Sequence, residues 1–290
     1  MPTPYQLLLI SNDKADTPEG IFTCGQMLAW GLWREFSKLP HVTLTYQNAE
    51  VPLGVQPQVD FTLLHSYFAS PIFNELPALR TLTRKHIINF MEIPHADVDY
   101  NFTYLPTGNE QVLFPCVSEL LNRNPMGEKW SNSVLLDHSW RDGEVWNDRL
   151  YEWLEPLKDS CVIGQLRRPE HEKLAPPEWV QSIPQLCYLE YLKQTAPYEN
   201  FVLTHPGTYE HSIIDMMYRG IRVLIPMQDG DTFVDPNTVN TLGLPTFSSR
   251  DELLAHLKNP QDGDWRMALC TDMPEIVRRI DAYCQKVLNA

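Results

Sequence analysis

The sequence predicts an α/β protein built in two halves. Short apolar runs alternate with stretches of helical spacing. The alternation halts at a polar, Pro- and Gly-bearing stretch at residues 122–133 and then restarts. The second half contains an apolar strand, a Gly-bearing turn, a short helix and a second apolar strand across residues 201–225. Brief continuous apolar runs suit strands covered on both faces, and their alternation with helices argues an open, largely parallel sheet.

Residues 6–10 form the first such run, followed by a polar loop at 11–20. Residues 21–39 carry Phe22, Leu28, Leu32, Phe36 and Leu39 at helical spacing. Strands are expected at 42–46 and 61–64, a helix at 76–84, a strand at 86–90 and the last strand of this half at 112–115. Beyond the linker, strands are expected at 133–136 and 160–163, with a helix at 146–157 between them. A further strand at 186–188 then leads into a helix at 189–195. Ser248 or Ser249 with Glu252 sets up a capping box for a helix at 248–258, and residues 273–288 read as a final amphipathic helix. The expected domains are 1–125 and 126–270, with 271–290 as a C-terminal helix.

The chain has 290 residues, enough for two domains, with 43% hydrophobic and 21% charged residues and a formal net charge of -14. That charge argues against broad nonspecific nucleic-acid or anionic-membrane binding. No apolar run approaches the roughly 18 to 20 residues of a membrane span. The start, MPTPYQLLLISND, lacks a basic region before its apolar run and reads as a buried strand, so a cytoplasmic location is expected. Cys24, Cys116, Cys161, Cys187, Cys270 and Cys284 form no C-x-x-C pair and read as scattered thiols. With no His/Cys cluster at metal spacing, no bound metal is expected. Walker and Gly-x-Gly-x-x-Gly patterns do not occur, which removes the main support for NTPase and dinucleotide readings.

Residues 204–226 carry the most chemistry: Thr-His-Pro-Gly-Thr-Tyr-Glu-His-Ser-Ile-Ile-Asp-Met-Met-Tyr-Arg-Gly-Ile-Arg-Val-Leu-Ile-Pro. A turn feeding a helix N-terminus suits an anion, because free backbone N–H groups and the helix dipole converge there. A carboxylate one turn deeper, Asp215, is placed to accept hydrogen bonds from sugar hydroxyls. The segment resembles the donor site of GT-B glycosyltransferases, which run from a His or Pro through glycines and a Ser to Glu-Ala-x-x-x-Gly-x-Pro-Val. Here Asp215 stands where the family has Glu, and Arg222 where it has Pro. The second Glu of retaining members falls at Gly207, with Glu210 three residues later, so the retaining signature is broken. The His-Gly-Gly…Ser…Glu form of inverting members matches about as well.

The resemblance implies two Rossmann-like α/β/α domains facing each other across a cleft. It implies a hexosyl- or pentosyltransferase needing no metal or other cofactor, with a nucleotide-diphosphate sugar as donor, a UDP-sugar first. On the donor side it points to Ser212 for phosphate, Asp215 for ribose, and Gly207, Glu210, His205 and His211 around the turn. Arg141 and Arg167 (with Arg168 beside it) are candidates to neutralise the leaving diphosphate, Asp229 to reach the donor sugar, and Gly20 to approach the phosphates. A general base for the acceptor is sought after strands of the first half: Asp13, His65, Glu92 or His95. The acceptor is a hydroxyl on a glycan, a small molecule or a modified DNA base. A nucleotide-sugar epimerase or another enzyme on the same scaffold, and a non-catalytic nucleotide-sugar-binding protein, are the competing readings.

Overall fold

The computed structural model describes residues 1–11, 15–66, 70–123, 128–137, 145–167, 176–184, 186–204, 211–258 and 270–290. The chain divides into two compact units, Met1–Leu120 with Cys270–Ala290, and Leu121–Leu269.

The first unit runs β1 (Tyr5–Ser11), α1 (Cys24–Phe36), β2 (Val42–Asn48), β3 (Val59–His65), α2 (Leu76–Leu82), β4 (Thr83–Met91), β5 (Tyr100–Thr103), β6 (Glu110–Gln111) and β7 (Pro115–Cys116), and the division falls within α3 (Ser118–Asn122). Its main sheet has the order β2-β1-β3-β4-β5-β6, and each of these pairings is parallel. Leu8, Ile10, Leu64 and Ile87 pack with Leu76 and Leu79 of α2. The alternate strand residues Leu7, Leu9, Leu63 and Ile88 are equally buried. Both faces are therefore covered, which is why the strands read as continuous apolar runs.

The second unit runs β8 (Ser133–Leu136), α4 (Val145–Leu154), β9 (Val162–Leu166), β10 (Gln181–Ile183), α5 (Tyr188–Thr195), β11 (Asn200–Val202), α6 (His211–Tyr218), β12 (Arg222–Gln228), β13 (Asp231–Thr232), α7 (Pro236–Leu242), β14 (Thr246–Phe247) and α8 (Arg250–Lys258). The sheet order is β10-β9-β8-β11-β12, with β14 and a short antiparallel β13 both paired to β12. Numbered along this unit, the parallel strands lie in the order 3-2-1-4-5-6, the doubly wound dinucleotide-type arrangement.

The chain then returns to the first unit as β15 (Thr271–Asp272), parallel to β7, and α9 (Met273–Leu288). Asp272 caps both neighbours: it accepts from the backbone N–H groups of Ser118 and Met273 at 2.9 Å each. Tyr283 of α9 stacks on Tyr100 at 4.0 Å, and its hydroxyl lies 2.6 Å from His86 Nδ1. Asp281 lies 2.9 Å from both the Tyr5 hydroxyl and His41 Nε2.

Several local expectations are corrected. Residues 186–188 do not form a strand; the strand is Gln181–Ile183, and α5 begins at Tyr188. Three apolar residues are too few for periodicity to separate strand from helix. The expected strand at 112–115 is interrupted because Phe114 is left-handed, with φ 45°. Its place is taken by β6 and β7 on either side. The expected helix at 76–84 stops at Leu82, where Thr83 turns extended and starts β4 without a loop. The strand expected at 160–163 lies later, at Val162–Leu166. β5 falls in a stretch not expected to be a strand, and the linker stretch begins with the last residue of α3. Among the described residues no helix is long and apolar enough to cross a membrane, and no group of three or more His, Cys, Asp and Glu is placed to hold a metal.

Candidate functional site

In an open α/β sheet, ligands bind beyond the carboxyl ends of the strands, where the strand order reverses. Each unit has one such point.

In the second unit it lies between β8 and β11. The residue after β8 is Asp137, fully buried, whose backbone N–H donates to the Val202 carbonyl at 3.0 Å. Thr204, just past β11, is also fully buried. Ser212, at the start of α6, donates its hydroxyl to Asp137 Oδ2 at 3.4 Å. Gln165 of β9 donates to the Asp137 carbonyl at 3.5 Å, and the Tyr151 hydroxyl hydrogen-bonds the Gln165 side-chain oxygen. Burial pushes the Tyr151 phenol up to about 12, so it stays a donor at neutral pH. The Ser212 hydroxyl and the Asp137 carboxylate thus meet at the start of α6, with Gln165 and the Tyr151 hydroxyl behind them.

α6 begins at His211 and is closed by Gly220 in the left-handed region, with φ 65°. Ile221 N–H bonds the Met216 carbonyl at 2.9 Å and Gly220 N–H the Met217 carbonyl at 3.0 Å, the paired bonds of a Schellman ending. Desolvation pulls the His211 imidazole down to about 4, so it is neutral at pH 7. Asp215 is buried and accepts from the Tyr188 hydroxyl at 2.6 Å. Desolvation pushes its carboxyl up to about 7, against the opposing pull of that hydrogen bond and of the Arg219 charge. Arg219 is 1% exposed and donates to Thr195 Oγ1 at 2.9 Å. Its Nε and Nη2 have no hydrogen-bond partner among the described residues.

Of the other expected donor-side residues, Arg167 follows β9 and donates its backbone N–H to Ile183 at 2.7 Å. Asp229, φ 55°, and Gly230, φ 92°, form the two-residue turn of the β12–β13 hairpin, and that turn accounts for an Asp-Gly pair by itself. Arg222 is buried, with Nε and Nη2 on Asn200 Oδ1 at 2.9 and 2.6 Å. Arg141, Arg168, His205, Gly207 and Glu210 lie outside the described residues, as does Asp13 of the first unit.

In the first unit the strand order reverses between β1 and β3, whose last residues, Ser11 and His65, are register partners. Both are buried, and Ser11 Oγ lies 2.7 Å from His65 Nδ1. The His65 ring is 5.6 Å from Phe90, which is 5.3 Å from Tyr104. Glu92 follows β4 and is half-buried. Burial pushes the Tyr104 phenol well above its ordinary value, and the Cys24 and Glu92 charges add to this. His95 stands apart from the Ser11–His65 pair: it stacks on Phe73 at 5.0 Å, and its Nδ1 accepts from Asp97 N–H at 3.1 Å. Asn89 donates to Asn101 Oδ1 at 2.9 Å, and His95 N–H donates to the same oxygen at 2.8 Å, pinning the β4–β5 loop. Gly20 closes an exposed single turn, with its N–H on the Thr17 carbonyl at 3.0 Å.

No family model and no curated protein matches the sequence. Solved structures do. An α-glucosyltransferase in complex with UDP and a 13-mer DNA containing an HMU base aligns over 98% of this chain and 95% of its own, at TM-score 0.55 and 10% identity. A candidate UDP-N-acetylglucosamine 2-epimerase from Listeria monocytogenes aligns over 99% of this chain and 97% of its own, at TM-score 0.61 and 11% identity. The chain has the GT-B fold. A third GT-B relative in shape, the UDP-GlcNAc 2-epimerase of Methanocaldococcus jannaschii in complex with UDP-GlcNAc and UDP, aligns over 96% of this chain and 99% of its own, at TM-score 0.56 and 9% identity. Within the GT-B frame, sequence reasoning singled out His65 and Ser212 but passed over their partners Ser11 and Asp137, and Tyr188 beside Asp215. The available signal was positional: Ser11 and Asp137 are the first polar residues at the ends of apolar strands.

Proposed function

We propose that the protein transfers a sugar from a nucleotide-diphosphate sugar, a UDP-sugar first, to a hydroxyl acceptor. The observation that carries this is the second unit's switch point, where Ser212, in the first turn of α6, bonds buried Asp137 one turn before buried Asp215. A helix N-terminus with the Ser212 hydroxyl on its first turn suits a diphosphate, and a carboxylate at that depth suits ribose hydroxyls. Burial pushes this carboxyl up to about 7, and such perturbed groups concentrate at functional sites. On this reading the first unit supplies the acceptor side, with His65 at the reversal beside Ser11, Glu92 just past the end of β4 and His95 on the β4–β5 loop. The charge of -14 favours a glycan or small-molecule acceptor over DNA.

Two of the shape relatives are described as UDP-GlcNAc 2-epimerases, which supports epimerisation as the second reading. Incubation with UDP-glucose and UDP-GlcNAc separates the readings. Transfer releases UDP when, and only when, an acceptor is added; epimerisation converts the sugar with no acceptor. Nucleotide-sugar binding with neither outcome across a broad acceptor panel supports a binding protein. Absence of any thermal shift with UDP, GDP, ADP or their sugars sinks all three.

A further inference from the structure

We propose that Ser11 is a positioning residue that holds neutral His65 in the tautomer with its hydrogen on Nε2. His65 then meets a substrate oxygen as a hydrogen-bond donor, not as a base. The donor role rests on the reading of the first unit as the acceptor side; the tautomer does not.

The argument starts from the hydroxyl. Ser11 is fully buried, and among the described residues its Oγ has one hydrogen-bond partner, His65 Nδ1 at 2.7 Å. A serine hydroxyl has one hydrogen and two lone pairs, and a neutral imidazole has one N–H and one bare nitrogen. If Nδ1 carries the hydrogen, it donates to Ser11 and leaves the serine hydrogen buried without an acceptor. If Nδ1 is bare, Ser11 donates to it and only lone pairs go unused. Orphaned buried donors are rarer than under-used acceptors, so the second arrangement prevails. The hydrogen then resides on Nε2, and any oxygen that meets Nε2 meets a donor.

The backbone keeps the pair in place. Ser11 and His65 are opposed in the β1–β3 ladder. The Ser11 carbonyl accepts from Ala49 N–H at 2.7 Å and from the Tyr46 hydroxyl at 3.2 Å. The Phe90 ring packs beside the imidazole at 5.6 Å, which limits its reorientation. Ser66, next in sequence, is also buried, and its Oγ has no hydrogen-bond partner among the described residues.

The test reads the tautomer directly. Full-length protein labelled with ¹⁵N-histidine is examined by long-range ¹H–¹⁵N NMR at about pH 8.5, well above the ordinary imidazole range. The His65 signals are identified by their loss in His65→Gln. The expected pattern is a bare-nitrogen shift at Nδ1 and a protonated-nitrogen shift at Nε2. Ser11→Ala is expected to mix the tautomers, and Ser11→Thr, which keeps the hydroxyl, to restore the pattern. A protonated Nδ1 in the unaltered protein, or an unchanged pattern in folded Ser11→Ala, overturns the proposal. The donor role is read from turnover of a UDP-sugar: the Gln amide keeps an N–H donor, so His65→Gln should retain at least about tenfold more activity than His65→Ala. Equal losses overturn the donor role. If no nucleotide-sugar is turned over by the unaltered protein, the functional reading fails, and with it the donor role, while the NMR result still decides the tautomer.

Discussion

Asp215 places an ionisable group where ionisation is disfavoured, and this has a measurable sign. Its carboxyl is pushed from 3.8 to about 7 in the folded protein. Below about pH 4 both folded and unfolded states are protonated and the group is neutral to stability. Between pH 4 and 7 the unfolded chain loses the proton first, so stability falls as pH rises, and above 7 the loss is complete. The full cost is on the order of 4 kcal/mol. Asp215→Asn keeps an acceptor for Tyr188 and carries no charge. Urea denaturation should find it more stable than the unaltered protein at pH 8, with the gain fading by pH 4. A variant less stable at pH 8 would mean that the ionised carboxylate is stabilised by Arg219 more than burial opposes it. Gly164 is a steric counterpart: a Cβ there would lie 2.1 Å from the Tyr198 hydroxyl. Tyr198 is itself fully buried. Gly164→Ala is expected to lower stability by about 1–3 kcal/mol, read as a lower denaturation midpoint with an unchanged slope.

At the scale of elements, legibility follows the number of local signals. Residues 273–288 were readable because an apolar face repeats over sixteen residues, and the helix occupies Met273–Leu288. α8 was readable from its cap: Glu252 N–H bonds Ser249 Oγ at 3.3 Å, and the Glu252 carboxylate bonds Ser248 N–H at 2.6 Å. The end of α6 was readable from Gly220, whose positive φ an L side chain resists. Gly220→Ala should cost about 1 kcal/mol and fray the last turn of α6, seen as faster amide exchange at positions 220 and 221 while α9 is unchanged. Where elements were misread, no local signal existed. β5 is four residues long and flanked by bends, and its strand state comes from pairing with β4. The break at Phe114 is a backbone excursion by a residue that ordinarily avoids positive φ, invisible to any pattern of polarity.

For the whole molecule, the two strand orders, 2-1-3-4-5-6 and 3-2-1-4-5-6, create two reversal points with different chemistry. The residues at those points were only half legible. His65 and Ser212 stand out as polar residues at the end of a strand and the start of a helix. Ser11 is 54 residues from His65 and Asp137 is 75 from Ser212, and only the sheet register and helix packing bring each pair together. The division of labour proposed for the two units predicts separable defects. Ser212→Ala alters the second unit alone and should weaken UDP binding about tenfold, shrinking the UDP-induced rise in melting temperature. Glu92→Gln alters the first unit alone and should leave that rise intact while cutting transfer to an acceptor by about 10²-fold or more, if Glu92 takes the acceptor proton. Measuring nucleotide-induced thermal shift and acceptor-dependent UDP release on both variants checks the division. The converse pattern, with Glu92→Gln abolishing the thermal shift and Ser212→Ala leaving it whole, would move the nucleotide to the first unit. Equal loss of both readouts in both variants would mean that the two reversal points serve a single ligand together.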